Sequence, residues 1–119
     1  MRERMRQEID RSNATTFDLK QGVGGITDIE FMVQYAVLRW AWRYQVLSVY
    51  TDNLRLLDLI ADLGLISRVD SDLLRAAYFT YRAEAHRCAL QEIDGLVDNT
   101  GFNQERQAVS AVWSRVMHH

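Results

Sequence analysis

The sequence predicts an all-α fold, a bundle of about four to five helices with a short extended segment and a glycine turn near the N-terminus. Three observations carry that expectation. Proline is absent from all 119 residues, whereas loop-rich and many-turned β architectures commonly use it. Apolar residues return at helical spacing over most of the chain. Alternation of apolar and polar residues, the mark of a half-buried strand, is scarce outside Phe17–Lys20.

Met1 to Asp10 reads as a charged helix carrying Met1, Met5 and Ile9 on a thin stripe. So narrow a stripe holds poorly alone, and it suggests the end of a longer helix whose upstream partner is missing. Arg11 to Thr16 is a polar linker, so residues 1–16 are read apart from a helical domain over 17–119. Gly22, Gly24 and Gly25 follow the extended segment and permit angles that other residues resist. Helical spacing then begins at Gly25 or Ile26, with Ile26, Ile29, Val33, Val37 and Trp40 on one side, and runs to about Tyr44. Phe31, Met32, Tyr35, Trp40 and Trp42 make this helix apolar on more than one face. It is therefore central in the bundle or turned toward a partner domain, with its aromatics mostly in the core.

Gln45 to Tyr50 is a short connection of mixed pattern. Thr51 or Asp52 can cap a helix through about Leu63, carrying Leu54, Leu57, Ile60 and Ala61 inward, and Gly64 is placed to stop it. Ser67 with Asp70 is a loose capping-box signature opening the longest helix, to about Glu92. Asp94 to Thr100 reads as a loop around Gly95, with Leu96 and Val97 available to pack onto the bundle. Asn103 can cap a final helix to about Met117. His118-His119 reads equally as natural sequence or as the remnant of a tag.

Composition removes several classes of function. A formal net charge of -2 gives no general attraction to nucleic acid or to an anionic membrane. No apolar run approaches the ~18 residues that span a bilayer, and the Arg- and Glu-rich start is no secretory signal. Neither a nucleic-acid nor a membrane partner is expected, and the expected location is the cytoplasm. One cysteine, Cys88, excludes an intrachain disulfide, and its helical setting among Ala85, Ala89 and Leu90 reads as a small buried hydrophobe. His86 has no histidine partner at ligand spacing, and there is no phosphate-loop or nucleophile-elbow motif.

The glycine stretch is where chemistry could reside. A glycine turn that enters a helix leaves N–H groups free, and the helix dipole favours an anion there. The other reading is a strand-to-helix corner whose glycines only make the turn. Asp28-Ile29-Glu30 has the acid-x-acid form of a two-metal site. On a helix, however, residues i and i+2 diverge by ~200°, so these acids are read as first-turn residues favoured by the dipole or as domain contacts. Asp70-Ser71-Asp72 is a further acid pair at a helix start, expected to be solvated.

Lys20-x-Gly22-x-Gly24-Gly25-Ile26-x-Asp28-Ile29-Glu30-Phe31 resembles the motif that follows the nucleotidyltransferase core of glutamine synthetase adenylyltransferases. Gln34-Tyr35 with Val37-Leu38, Thr51-Asp52-Asn53-Leu54-Arg55, and His86-Arg87-Cys88-Ala89-Leu90-Gln91 resemble later stretches of the same enzymes. The resemblance runs from about Met1 to Trp113. It implies the C-terminal helical domain of an enzyme that passes AMP from Mg-ATP to a tyrosine of glutamine synthetase. The implied partners are glutamine synthetase, the PII protein and a preceding nucleotidyltransferase domain. Mg2+ and ATP are implied for the parent enzyme and no cofactor for this piece alone.

By the same resemblance Asp18 is a candidate for the third metal-site carboxylate. Lys20 becomes a possible phosphate contact beside Gly22, Gly24 and Gly25, while Asp28, Glu30 and Arg55 become contacts to a domain or partner. The catalytic acid pair is not in the chain, which is expected to be inactive by itself. A shorter form of the glycine motif is similar to one in PII uridylyltransferases. Their helical domain, or a stand-alone helical interaction module, is the alternative reading.

Overall fold

The computed structural model describes residues 16–20, 22–49, 52–93 and 95–117. The helix expected over residues 1–10, the Thr51 cap and His118-His119 lie outside the described residues. Four helices form the bundle: α1 (Ile26–Trp40), α2 (Asn53–Asp62), α3 (Arg68–Leu90) and α4 (Asn103–Met117). Short 3-10 turns, Gln45–Ser48 and Asn99–Phe102, precede α2 and α4. α3 is the spine, packing against each of the other helices. No helix among the described residues is long and apolar enough to cross a membrane.

The bundle carries a two-stranded antiparallel sheet of β1 (Thr16–Asp18) and β2 (Leu96–Asp98), with Phe17 opposite Val97. The segment read as a loop around Gly95 is thus partly a strand. Three residues are too few to show an alternating pattern, yet a strand at β1 needs a partner for its backbone groups. The Leu19 N–H extends the pairing to the Gly95 carbonyl at 2.9 Å. Leu96 and Val97 therefore meet the bundle through a sheet and not as loose loop residues.

Phe17 is fully buried and its ring sits 5.7 Å from that of Tyr81 and 6.3 Å from that of Phe102. Burial pushes the Tyr81 hydroxyl well above the usual phenol range; Glu105 and Asp28 push the same way, against Arg106. It stays neutral, a large anchor between the sheet and the helices. Ser71, also fully buried, donates from its hydroxyl to the Leu57 carbonyl at 3.0 Å and joins α3 to α2.

Helix ends follow local chemistry. The Asp52 carboxylate accepts the Leu54 N–H at 3.0 Å, and the Ser67 hydroxyl accepts the Asp70 N–H at 3.0 Å. Asp70 corrects an expectation: its carboxylate is largely buried and accepts from Arg115 Nε at 3.2 Å. That bond holds the Arg115 guanidinium above its ordinary value. Only Asp72, of the acid pair read as solvated, is exposed. α1 stops at Trp40, short of the expected Tyr44, whose backbone leaves the helical region (φ −123, ψ 85) and lets Leu47 turn inward. Trp42, expected with the core aromatics, lies on the surface.

The C-terminal ends of α2 and α3 use one device. Leu65 N–H reaches the Ile60 carbonyl while Gly64 N–H reaches that of Ala61. Ile93 and Glu92 bond Cys88 and Ala89 in the same way. Each is the paired closure in which the residue past the helix adopts a left-handed conformation. Gly64 does so at φ +76, and Glu92 at φ +56. A residue with a side chain is strained there by ~1–2 kcal/mol. Glu92→Gly is therefore expected to stabilise the chain by about 1 kcal/mol, read as a higher urea midpoint with an unchanged slope.

Candidate functional site

The segment between β1 and α1 closes on itself. Asp18 O accepts the Gly22 N–H at 2.8 Å, Gly22 O that of Gly25 at 2.9 Å, and Leu19 O and Lys20 O those of Ile26 and Thr27 at 2.9 Å. Asp28, only 3% exposed, turns back from the first turn of α1 and accepts the Gly24 N–H at 2.8 Å. The glycines are required by contact. A Cβ on Gly22 would stand 2.6 Å from the Phe17 ring, and one on Gly25 2.6 Å from the Leu19 carbonyl oxygen. Gly24 adopts φ +79, and a Cβ there would stand 2.7 Å from the Arg106 carbonyl oxygen on α4. Arg106 adds a bond from Nε to the Val23 carbonyl at 3.1 Å and lays its guanidinium 4.3 Å from the centre of the Phe17 ring.

Two sequence readings meet this geometry. The N–H groups of Gly22, Gly24 and Gly25, read either as facing an anion or as belonging to a plain strand-to-helix corner, are bonded within the corner. Asp28, read as a domain contact or first-turn acid, gives its Oδ2 to the Gly24 N–H of the loop.

Beside this corner lies a groove of about 400 Å³, walled by the end of β1, the start of α1, the second half of α3 and Gly95. Asp18, Lys20 and Glu30 all line it, with Arg82 and Cys88 from α3. Asp18 is 3% exposed and its Oδ1 accepts the Lys20 N–H at 3.1 Å, so the strand end holds its carboxylate in the wall. The Lys20 and Arg82 side chains are exposed. Cys88 is buried, as its setting suggested.

Glu30 is held from two sides. Its Oε2 accepts from the Tyr78 hydroxyl at 3.3 Å and from Asn53 Nδ2 at 3.5 Å. Asn53 also donates to the Tyr78 hydroxyl at 3.3 Å. The stretch around residues 51–55 thereby reaches the glycine stretch through Asn53, while Arg55 lies exposed at the start of α2. The motif signalled Asn53 but not its target. Nothing in the sequence marked Tyr78, which sits on the apolar stripe of α3.

Gly24 and Gly64 form a matched pair, since both have positive φ but only Gly24 is crowded; nothing lies within 4 Å of a Cβ on Gly64. Gly64→Ala is expected to cost about 1 kcal/mol from backbone strain alone. Gly24→Ala should cost at least about 3 kcal/mol, because α4 must move as well. Urea unfolding of the two variants gives the comparison, and equal losses would mean that the corner is loosely packed.

The GlnD PII-uridylyltransferase family model matches residues 1–114 of the chain. Among curated proteins, a bifunctional glutamine synthetase adenylyltransferase/adenylyl-removing enzyme of Nitrosococcus oceani is 49% identical over 117 residues, which is 98% of this chain and 12% of that protein. Enzymes of the same description are 48% identical over 100 residues in Pseudomonas syringae pv. tomato (84% of this chain, 10% of that one). In Methylococcus capsulatus the figure is 44% over 117 residues (98% and 12%). The chain spans about a tenth of the length of these relatives. The motifs read from the sequence as adenylyltransferase-like thus lie in a region that these enzymes share with it, and the chain belongs to the GlnD PII-uridylyltransferase family.

Proposed function

We propose that this chain is the helical domain beside the nucleotidyltransferase core of an enzyme that transfers AMP from ATP to a tyrosine of glutamine synthetase. In that reading it braces the core and contributes to the rim of its site, in the cytoplasm, without being a catalyst by itself. The observation that supports it is the groove beside β1. Its lining brings Asp18 together with Lys20 and Glu30 of the glycine motif. PII would be the second protein partner, a signal received by the whole enzyme.

The described residues do not make a magnesium site of their own. No three His, Cys, Asp or Glu side chains among them converge on one point. No step through the metal is therefore assigned to this chain. What it can supply is one carboxylate, Asp18, and one flexible cation, Lys20, at the edge of a site whose other parts come from elsewhere in the enzyme. The corner is suited to that task because its backbone is fixed at both ends, by the sheet and by the start of α1. A carboxylate on such a frame costs little reorganisation when the site forms.

The test is AMP transfer from ATP to glutamine synthetase by the full-length enzyme carrying Asp18→Asn. The amide keeps the size and the acceptor for the Lys20 N–H but removes the charge. A fall in kcat of about a hundredfold is expected, with the melting temperature unchanged. An unaltered kcat would remove Asp18 from the site. AMP transfer by this chain alone would contradict the bracing role.

A further inference from the structure

From Phe31 to Thr51 the sequence contains no acidic residue and two arginines, in a chain whose net charge is -2. Among its described residues, which end at Val49, the structure leaves several large apolar side chains at the surface. Leu38 is 82% exposed, Trp42 76% and Val49 69%. Arg39 and Arg43 stand among them, each laid over a ring, 5.3 Å from the Trp40 centroid and 5.5 Å from that of Tyr44. Among the described residues neither has a carboxylate partner, whereas Arg68, Arg75, Arg87 and Arg115 each face one. Next to them opens a groove of about 380 Å³, with Arg39 and Trp40 on one wall and the Asp70–Arg115 pair on the other. That pair neutralises itself, so Arg39 is the charge the groove offers.

We infer that this end of α1 is a docking face for a separate protein that presents carboxylates around an apolar anchor. Trp, Tyr and Arg are the side chains that dominate binding energy at interface centres, where Asp and Glu are depleted. Stacking on the rings limits the freedom of both guanidiniums before any partner arrives, which lowers the cost of association. A second copy of this chain fits poorly, because a two-fold interface over this face would set one positively charged patch against another. A lipid surface calls for clusters of about four to eight cations, and two are present.

The rest of the enzyme's own polypeptide is the remaining occupant. The groove proposed to meet the catalytic core lies at the other end of α1, whose 15 residues span about 22 Å at ~1.5 Å per residue. The two faces can thus serve different bodies. This inference rests on the function proposed above and makes glutamine synthetase the protein to test.

The experiment compares the full-length enzyme with its Arg39→Glu/Arg43→Glu variant in AMP transfer to glutamine synthetase, at low and at physiological salt. A second variant, Trp42→Ser, removes the apolar anchor without touching charge. All three positions are on the surface, so folding is expected to survive, and the melting temperature reports it. The KM for glutamine synthetase should rise about tenfold or more in each variant. The kcat and the KM for ATP should hold, and the salt dependence of KM should vanish in the charge reversal. Unchanged KM values with wild-type transfer intact would overturn the docking face and leave the function standing. A lowered melting temperature with unchanged KM would assign the face to the enzyme's own polypeptide and overturn the inference. No AMP transfer by the unmodified enzyme would remove the function, and the docking face with it.

Discussion

The bond from the Gly24 N–H to the buried Asp28 carboxylate is the contact on which the rest of this structure depends. It joins the middle of a glycine loop to the first turn of the helix that follows, at 2.8 Å and nearly out of water. A hydrogen bond to a charged group is worth ~1.5–3 kcal/mol net, and breaking it would leave a buried charge with one donor fewer. With the loop pulled tight, Gly24 can touch the backbone of Arg106 and bring α4 against the corner. Gly22 leaves space for the Phe17 ring, which in turn meets Tyr81 and Phe102. One short segment thus ties the sheet, α1, α3 and α4 together.

That role changes what the glycine motif means. A glycine turn before a helix invites a phosphate because its N–H groups are open; here they bond the preceding strand, the loop and Asp28. The chemistry available to a partner lies beside the corner and not in it. Asp18 lies in the groove wall and Lys20 is exposed just before the glycines, while Glu30 lines the groove from α1, where Tyr78 and Asn53 hold it. α1 then carries the surface away from this groove to an acid-free end with exposed Leu38 and Trp42.

Helix boundaries were legible in the sequence where they had a chemical signature. Asp52 and Ser67 cap with their own side chains, and Gly64 closes α2 in the left-handed conformation that a glycine stop implies. Glu92 makes the same closure without a glycine, so nothing announced it. β2 was hidden for want of length. The burial of Asp70 depends on Arg115, 45 residues away, and no local pattern reports such a pair. The site was half visible. Motif residues pointed to Asp18, Lys20 and Glu30, but periodicity could not show that Asp28 would be consumed by its own loop, or that Tyr78 would turn a core position toward Glu30.

Hydrogen exchange at the Gly24 and Gly25 amides is the most direct measurement of this account. In the chain as it stands both amides should be protected to the degree of interior α1 amides. Asp28→Ala should release Gly24 and, with it, lower the protection of the α4 amides around Arg106 that pack on the loop. Adding inorganic phosphate should change neither amide in the wild-type chain. Rapid exchange at both positions without phosphate, slowed when phosphate is added, would contradict the account: the glycines would then be an open anion site and not the lock of the fold.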